Sequence, residues 1–90
     1  MTEFEELIRR TKEARDRLNA ESGGLQNVTI SISEEGVVVS GNRSGLVELA
    51  RMALMVAAKE KSGAHQDIDE TTFASKADGV LTIALDDKLL

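Results

Sequence analysis

The chain has 90 residues, of which 41% are apolar and 30% charged, and its net charge at neutral pH is −5. This length suits one domain with a single core and leaves little volume for an enclosed active site. The chain has no cysteine and its only aromatic residues are Phe4 and Phe73, so disulfides, cysteine-ligated zinc and base stacking on aromatic side chains are not expected.

The sequence gives no sign of export or of membrane insertion. Its first ten residues are acidic and amphipathic, unlike a secretion signal. The longest apolar run, residues 52–58, is too short to cross a bilayer. We therefore expect a cytoplasmic protein that acts on neither membrane nor nucleic acid, because an acidic surface repels nucleic acid.

The first predicted element is a helix over residues 1–22. Thr2 and Glu5 have the spacing of a capping box. Apolar side chains recur every three or four residues as far as Leu18, which indicates one narrow apolar stripe. The pair Gly23-Gly24 ends the helix.

A β-hairpin is predicted next. Residues 28–33 alternate apolar and hydroxyl side chains, the period of a strand with one wet face. Glu34-Glu35-Gly36 provides a short turn with glycine where positive φ is needed. Residues 37–40 form the return strand.

A very apolar helix is predicted over Asn42–Lys61, with Asn42 as its N-cap. Between residues 46 and 58 only Glu48 and Arg51 are polar, fewer polar positions than a surface helix has. This helix therefore needs cover on two sides. The sheet can supply one, and the other falls to the first helix or to a second copy of the protein.

The last third is predicted to be a second hairpin. His65–Asp69 and Val80–Leu85 are the strands, residues 71–79 are irregular, and residues 86–90 form a frayed tail. The resulting order is α-β-β-α-β-β. It predicts a single α+β domain over residues 1–90, with one four-stranded, mainly antiparallel sheet and both helices packed on one face.

One segment carries side chains suited to metal chemistry. On a strand His65, Asp67 and Asp69 project from the same face and could hold a divalent metal. Same-face neighbours stand about 7 Å apart, however, so three rarely converge on one ion. The solvated side of a half-buried strand is the simpler interpretation. No catalytic motif frames His65, so we expect no enzyme activity and no cofactor.

The turn that opens the apolar helix has two interpretations. Gly41–Gly45 offers backbone N–H groups at a helix start, and Arg43 adds positive charge, so the turn could attract an anion. It lacks the glycine spacing of a P-loop or a dinucleotide turn. Close packing of Gly45 against the sheet is the simpler reason for that glycine.

The same residues carry a resemblance to a known family. A strand that ends in Gly41-Asn42 is followed by Gly45-Leu46, by Leu49-Ala50 and Leu54 on a helix, and by Gly63-x-His65 with an acidic strand. This order resembles the immunity protein 32 family of bacterial polymorphic-toxin systems, over about residues 28–87. Asp67 stands where the pattern has a second histidine. The resemblance implies an inhibitor that binds and blocks a cognate toxin.

An acidic partner surface is consistent with that role. After Ala64 the acids outnumber the bases, which favours a basic partner. The candidate interface residues are Glu34, Glu35, Asn42, His65, Asp67, Asp69 and Glu70. The alternative is a small structural or regulatory domain that self-associates, with a homodimer through the apolar helix, residues 43–61.

Overall fold

The computed structural model describes residues 2–60, 62–70 and 73–86. Its elements in chain order are α1 (Glu3–Glu21), β1 (Val28–Ser33), β2 (Gly36–Gly41), α2 (Arg43–Ala57), β3 (His65–Ile68), β4 (Lys76–Ala77) and β5 (Leu81–Ala84). The α+β class is confirmed. Among the described residues no helix has the length and apolar character needed to cross a membrane. The tail predicted over residues 86–90 lies outside the described residues except for Asp86.

The first helix and the first hairpin agree with the sequence prediction. The Thr2 hydroxyl oxygen accepts from the amide of Glu5 at 3.1 Å, which is the predicted cap of α1. β1 and β2 pair antiparallel, with Ser33 opposite Gly36 at the turn. Gly36 has a φ of 139°, a conformation that side-chain-bearing residues rarely adopt. The hairpin is therefore specified locally.

The single four-stranded sheet predicted from the sequence is wrong. The strands form two sheets, one of three strands in the order β2-β1-β4 and one of two strands, β3 and β5. β4 runs parallel to β1 opposite Thr29 and Ile30, and the flanking amides of Ser75 and Asp78 donate to β1 carbonyl oxygens. Because β4 occupies the second edge of β1, the β3–β5 hairpin cannot join that edge. A two-residue strand has no alternation to detect, so it was predicted as irregular.

α2 has the two-sided cover that its composition requires. α1 packs along α2, and α2 in turn contacts β2, β3 and β5. The second face is thus covered by the first helix of the same chain. A homodimer through residues 43–61 is not needed for this purpose and stays a prediction.

α2 ends earlier than predicted. Its last helical residue is Ala57, with Ala58 at the C-cap, and the next described residues are not helical. The predicted end, Lys61, lies outside the described residues. The segment from 59 to 63 contains no apolar side chain that could be buried against α1 or the sheets. Helices in proteins rely on such packing.

The core lies between α2 and the two sheets. Ile30 of β1 and Ile68 of β3 meet there with Ala74, and Ile68 is 0% exposed. Half-buried apolar residues surround this cluster: Leu49, Met52, Phe73, Ala77, Leu81 and Ile83. Ile68, Leu81 and Ile83 therefore face the core. The core joins the two sheets through apolar side chains from α2 and the last third of the chain.

Candidate functional site

The structure does not gather the candidate interface residues in one place. Glu34 and Glu35 form the tip of the first hairpin, and Asp69 and Glu70 lie toward the same end of the molecule. His65 and Asp67 lie on β3, in the other sheet. Asn42 is at the start of α2 and has a structural role.

Asn42 connects three segments of the chain. Its Oδ1 accepts from the amides of Gly45 at 2.9 Å and of Asn27 at 3.1 Å. Its Nδ2 donates to the carbonyl oxygen of Leu25 at 3.0 Å. The side chain caps α2 and fixes the loop before β1 against it, so its polar atoms are already in use within the protein.

The neighbouring cleft has features that disfavour an anion. It has a volume of about 480 Å³ and is lined by Leu18, Glu21, Ser22, Gly41, Asn42, Arg43 and Ser44. The Glu21 carboxylate would repel an anion, and the buried Ser44 hydroxyl donates to the Leu25 carbonyl oxygen at 3.1 Å. A Cβ at Gly45 would overlap the carbonyl oxygen of Asn27. Gly45 is thus closely packed, against the loop residue before β1 rather than against the sheet itself.

His65 and Asp67 occupy the exposed face of β3, as predicted for the wet side of this strand. The Asp67 carboxylate accepts from the Thr82 hydroxyl at 2.8 Å, and His65 Nδ1 lies 3.2 Å from the carbonyl oxygen of Gly63. Asp69 lies beyond the end of the strand. In residues 2–60, 62–70 and 73–86 no group of three metal-ligating side chains is placed to hold an ion.

Glu48 is a buried carboxylate, only 6% exposed, and both of its partners are arginines. Arg15 of α1 donates to it at 2.7 Å, and Arg51 of α2 bonds both carboxylate oxygens. Burial raises the pKa of Glu48, but the hydrogen bonds from Arg51 and Arg15 lower it by more, so its pKa lies below the ordinary value. A carboxylate held ionised in this way ties α1 to α2 and is unsuited to proton transfer.

One end of the molecule combines exposed apolar side chains with carboxylates. The amide of Ile32 donates to the Asp78 carboxylate at 2.9 Å, and Ile32 Cδ1 lies 2.8 Å from the position of a Cβ on Gly79. Ile32 is 49% exposed and Val80 is 57% exposed. The segment around Asp78 therefore folds against the end of β1 and places two apolar side chains at the surface.

Two further acids complete this surface. Asp69 and Glu70 line an open cleft of about 250 Å³ together with Asp78 and Val80, and the Glu70 carboxylate accepts from the amide of Ala77 at 2.9 Å. We call the surface formed by Ile32, Asp69, Glu70, Asp78 and Val80 the acidic end. The hairpin tip, Glu34 and Glu35, follows β1 at this same end and adds two negative charges.

Sequence reasoning missed three of the five residues of the acidic end. Asp69 and Glu70 are candidates from the sequence, whereas Ile32 belongs to the apolar side of the predicted first strand and Val80 begins a predicted strand. The Asp78-Gly79 turn signal is present and marks where the chain bends onto β1. No local pattern indicates that this bend brings Asp78 and Val80 beside Ile32.

No family model, curated protein or solved structure matches this chain. The resemblance to the immunity protein 32 family therefore stays a hypothesis.

Proposed function

We propose that this chain is a non-enzymatic binding protein that neutralises a bacterial toxin by covering a basic surface on it. The observation that carries the proposal is the acidic end, where Ile32 and Val80 are exposed beside Asp69, Glu70 and Asp78. The residues that resemble the immunity protein 32 family favour the same activity.

This combination of side chains suits protein recognition. Apolar groups that lose water on binding supply most of the affinity at the centre of an interface. Carboxylates around them attract a basic partner and speed its encounter. We expect a toxin that acts on nucleic acid to carry a basic surface, because its substrate is a polyanion.

The test begins with capture of partners from an extract of the native cells by the tagged chain. The captured protein is then expressed in a heterologous host, alone and with this chain. We expect growth arrest by the partner alone and rescue by co-expression. The variant Val80→Lys should weaken binding by about tenfold or more and reduce rescue, because it removes an apolar contact and repels a basic surface.

Leu25→Lys is the matched control, since Leu25 is an equally exposed apolar residue in the loop before β1, away from the acidic end. It should bind and rescue as the wild type does. A captured partner that does not arrest growth would refute the toxin assignment. Equal loss of binding in both variants would instead refute the assignment to the acidic end.

A further inference from the structure

The outer edge of β2 is a second surface with unusual properties. β2 is the edge strand of its sheet and has the sequence GVVVSG, without charge or proline. Val37 is 56% exposed and Val38 is 58% exposed. Edge strands of soluble proteins are normally protected by lysine, proline or a bulge, because their free N–H and C=O groups can pair with another strand. This strand has none of these protections.

The pairing of β1 with β2 determines which backbone groups of β2 face outward. In a two-residue hairpin the flanking residues, here Ser33 and Gly36, form a hydrogen-bonded pair, and the pattern alternates from there. The amide of Asn42 bonds the carbonyl oxygen of Asn27 at 3.1 Å, in phase with this alternation. The N–H and C=O groups of Val37, Val39 and Gly41 therefore point away from β1.

We propose that this edge pairs with the same edge of a second copy of the chain, in antiparallel orientation about a two-fold axis at Val39. Val39 then lies opposite its own copy, and Val37 lies opposite Gly41. All of these residues have outward-facing groups, so each pair can exchange two backbone hydrogen bonds. The three-stranded sheets of the two copies then join into one continuous sheet of six strands.

The charges at the two ends of β2 favour a second copy over an unrelated strand. Glu34 and Glu35 precede the strand and Arg43 follows it. In the antiparallel arrangement Glu35 of one copy reaches Arg43 of the other, and the axis creates this pair twice. A parallel arrangement would place the acids beside each other, which is unfavourable. Binding of an unrelated strand would not require opposite charges at the two ends of β2.

The apolar side chains also fit this register. Leu46 Cγ lies 3.4 Å from the position of a Cβ on Gly41, and Leu46 is exposed. Val37 of the second copy, opposite Gly41 and on the same face of the sheet, can pack beside Leu46. Both exposed side chains lose water as a result, which stabilises the pair.

A register in which Val39 lay opposite Val38 or Ser40 of the second copy would set the outward-facing groups of one strand against inward-facing groups of the other, so the backbone hydrogen bonds could not form. The pairing therefore places a residue opposite its own copy, as a two-fold axis requires. In the Val39 register the β2 edges of both copies are paired with each other, so neither edge is left for a third copy. The association therefore ends at two.

A charge exchange tests the proposal. Glu35→Arg and Arg43→Glu each place like charges together at two symmetric positions, so each should raise the dimer dissociation constant by about tenfold. The double variant E35R/R43E restores both attractive pairs and should recover the wild-type constant. Within one chain the two residues stand roughly 25 Å apart, too far to compensate each other.

Sedimentation equilibrium gives the dissociation constant for the wild type, the two single variants, the double variant and Val80→Lys. Protein concentrations should run from about 10 μM to 1 mM, because an interface smaller than the standard size associates weakly. V80K changes the acidic end and should dimerise as the wild type does. A protein that stays monomeric throughout this range would overturn the proposal. This holds even if the edge pairs with a strand of another protein. A double variant as weak as the single ones would also overturn it.

Introduced cysteines test the register, and the absence of native cysteine removes any background. The Val39 register places Val38 opposite Ser40 of the second copy. Mild oxidation of a mixture of V38C and S40C proteins should therefore give a mixed disulfide dimer, while V38C alone should not crosslink. Efficient crosslinking of V38C alone would show an axis at Val38 and overturn the proposed register.

Discussion

The carbonyl oxygen of Asn27 lies against two glycines at the start of α2. It accepts from the amide of Asn42 at 3.1 Å, and a Cβ on Gly41 would approach it to 2.6 Å. A Cβ on Gly45 would overlap the same oxygen. The helix thus begins so close to the first strand that side chains are excluded at both positions.

Replacement of Gly45 by alanine should therefore destabilise the protein. Helix propensity alone favours alanine by about 1 kcal/mol, but the new Cβ would force the loop away from α2. We expect a net loss of about 1–2 kcal/mol in the free energy of unfolding, measured by urea titration. Ala50→Gly, at an exposed position of the same helix, is the control and should lose about 1 kcal/mol. A G45A variant more stable than the wild type would contradict the contact.

Asn42 should contribute more to stability than an ordinary helix cap. Its hydrogen bonds with Asn27 and Leu25 join α2 to the loop before β1 in addition to the cap on Gly45, whereas Thr2 caps the exposed start of α1. We expect Asn42→Ala to cost about 2–3 kcal/mol and Thr2→Ala at most about 1 kcal/mol. Asn42→Asp keeps the cap and loses the bond to Leu25, so its loss should be intermediate. Thermal and urea unfolding provide the comparison, and equal losses for N42A and T2A would disprove the joining role.

The two helices are joined by a charged group as well as by apolar contact. Arg15 of α1 and Arg51 of α2 meet the same carboxylate, Glu48. Both arginines are partly exposed, so water screens part of their attraction to the carboxylate. Removal of the carboxylate takes away the anion that the two arginines share, although Arg15 keeps its pair with Asp16.

This arrangement predicts a pH-dependent stability. The pKa of Glu48 is lower in the folded protein than its ordinary value of 4.5, so its contribution is complete above that value and is lost as the pH falls through the folded-state pKa. We expect Glu48→Gln to cost about 2 kcal/mol at pH 7 and progressively less as the pH falls below about 4.5, measured by urea unfolding.

Glu13→Gln provides the comparison for Glu48. Glu13 pairs with Arg9 on the exposed side of α1, and surface ion pairs of this kind contribute roughly 0–1 kcal/mol. The variant E13Q should therefore unfold much like the wild type at pH 7. A difference between the wild type and E48Q that stays constant down to pH 3 would show that the charge of Glu48 is not what stabilises the helix pair.

The two proposed surfaces use different parts of the three-stranded sheet. The acidic end lies where β1 finishes beside the Asp78 turn, and the dimer edge lies along β2 on the other side of β1. Pairing through β2 would cover Val37 and leave Ile32 and Val80 exposed. A dimer would thus present two acidic ends, so that one dimer could engage two copies of a partner.

Local patterns in the sequence determined every described element of this protein except β4, and most of their bounds. The capping residues Thr2 and Asn42, the alternation of β1 and the turn glycine Gly36 all act within a few residues, so they can be read without knowledge of the fold. The composition of α2 also required cover on two faces, and α1 supplies one of them.

Only the tertiary structure decided how the strands are shared between two sheets and which residues meet at the surface. β4 has two residues and owes its existence to the free edge of β1, which no local pattern reveals. Ile32 and Val80 come together at the surface because the Asp78 turn folds against the end of β1. Such placements depend on contacts between residues far apart in the chain, and the acidic end exists only through them.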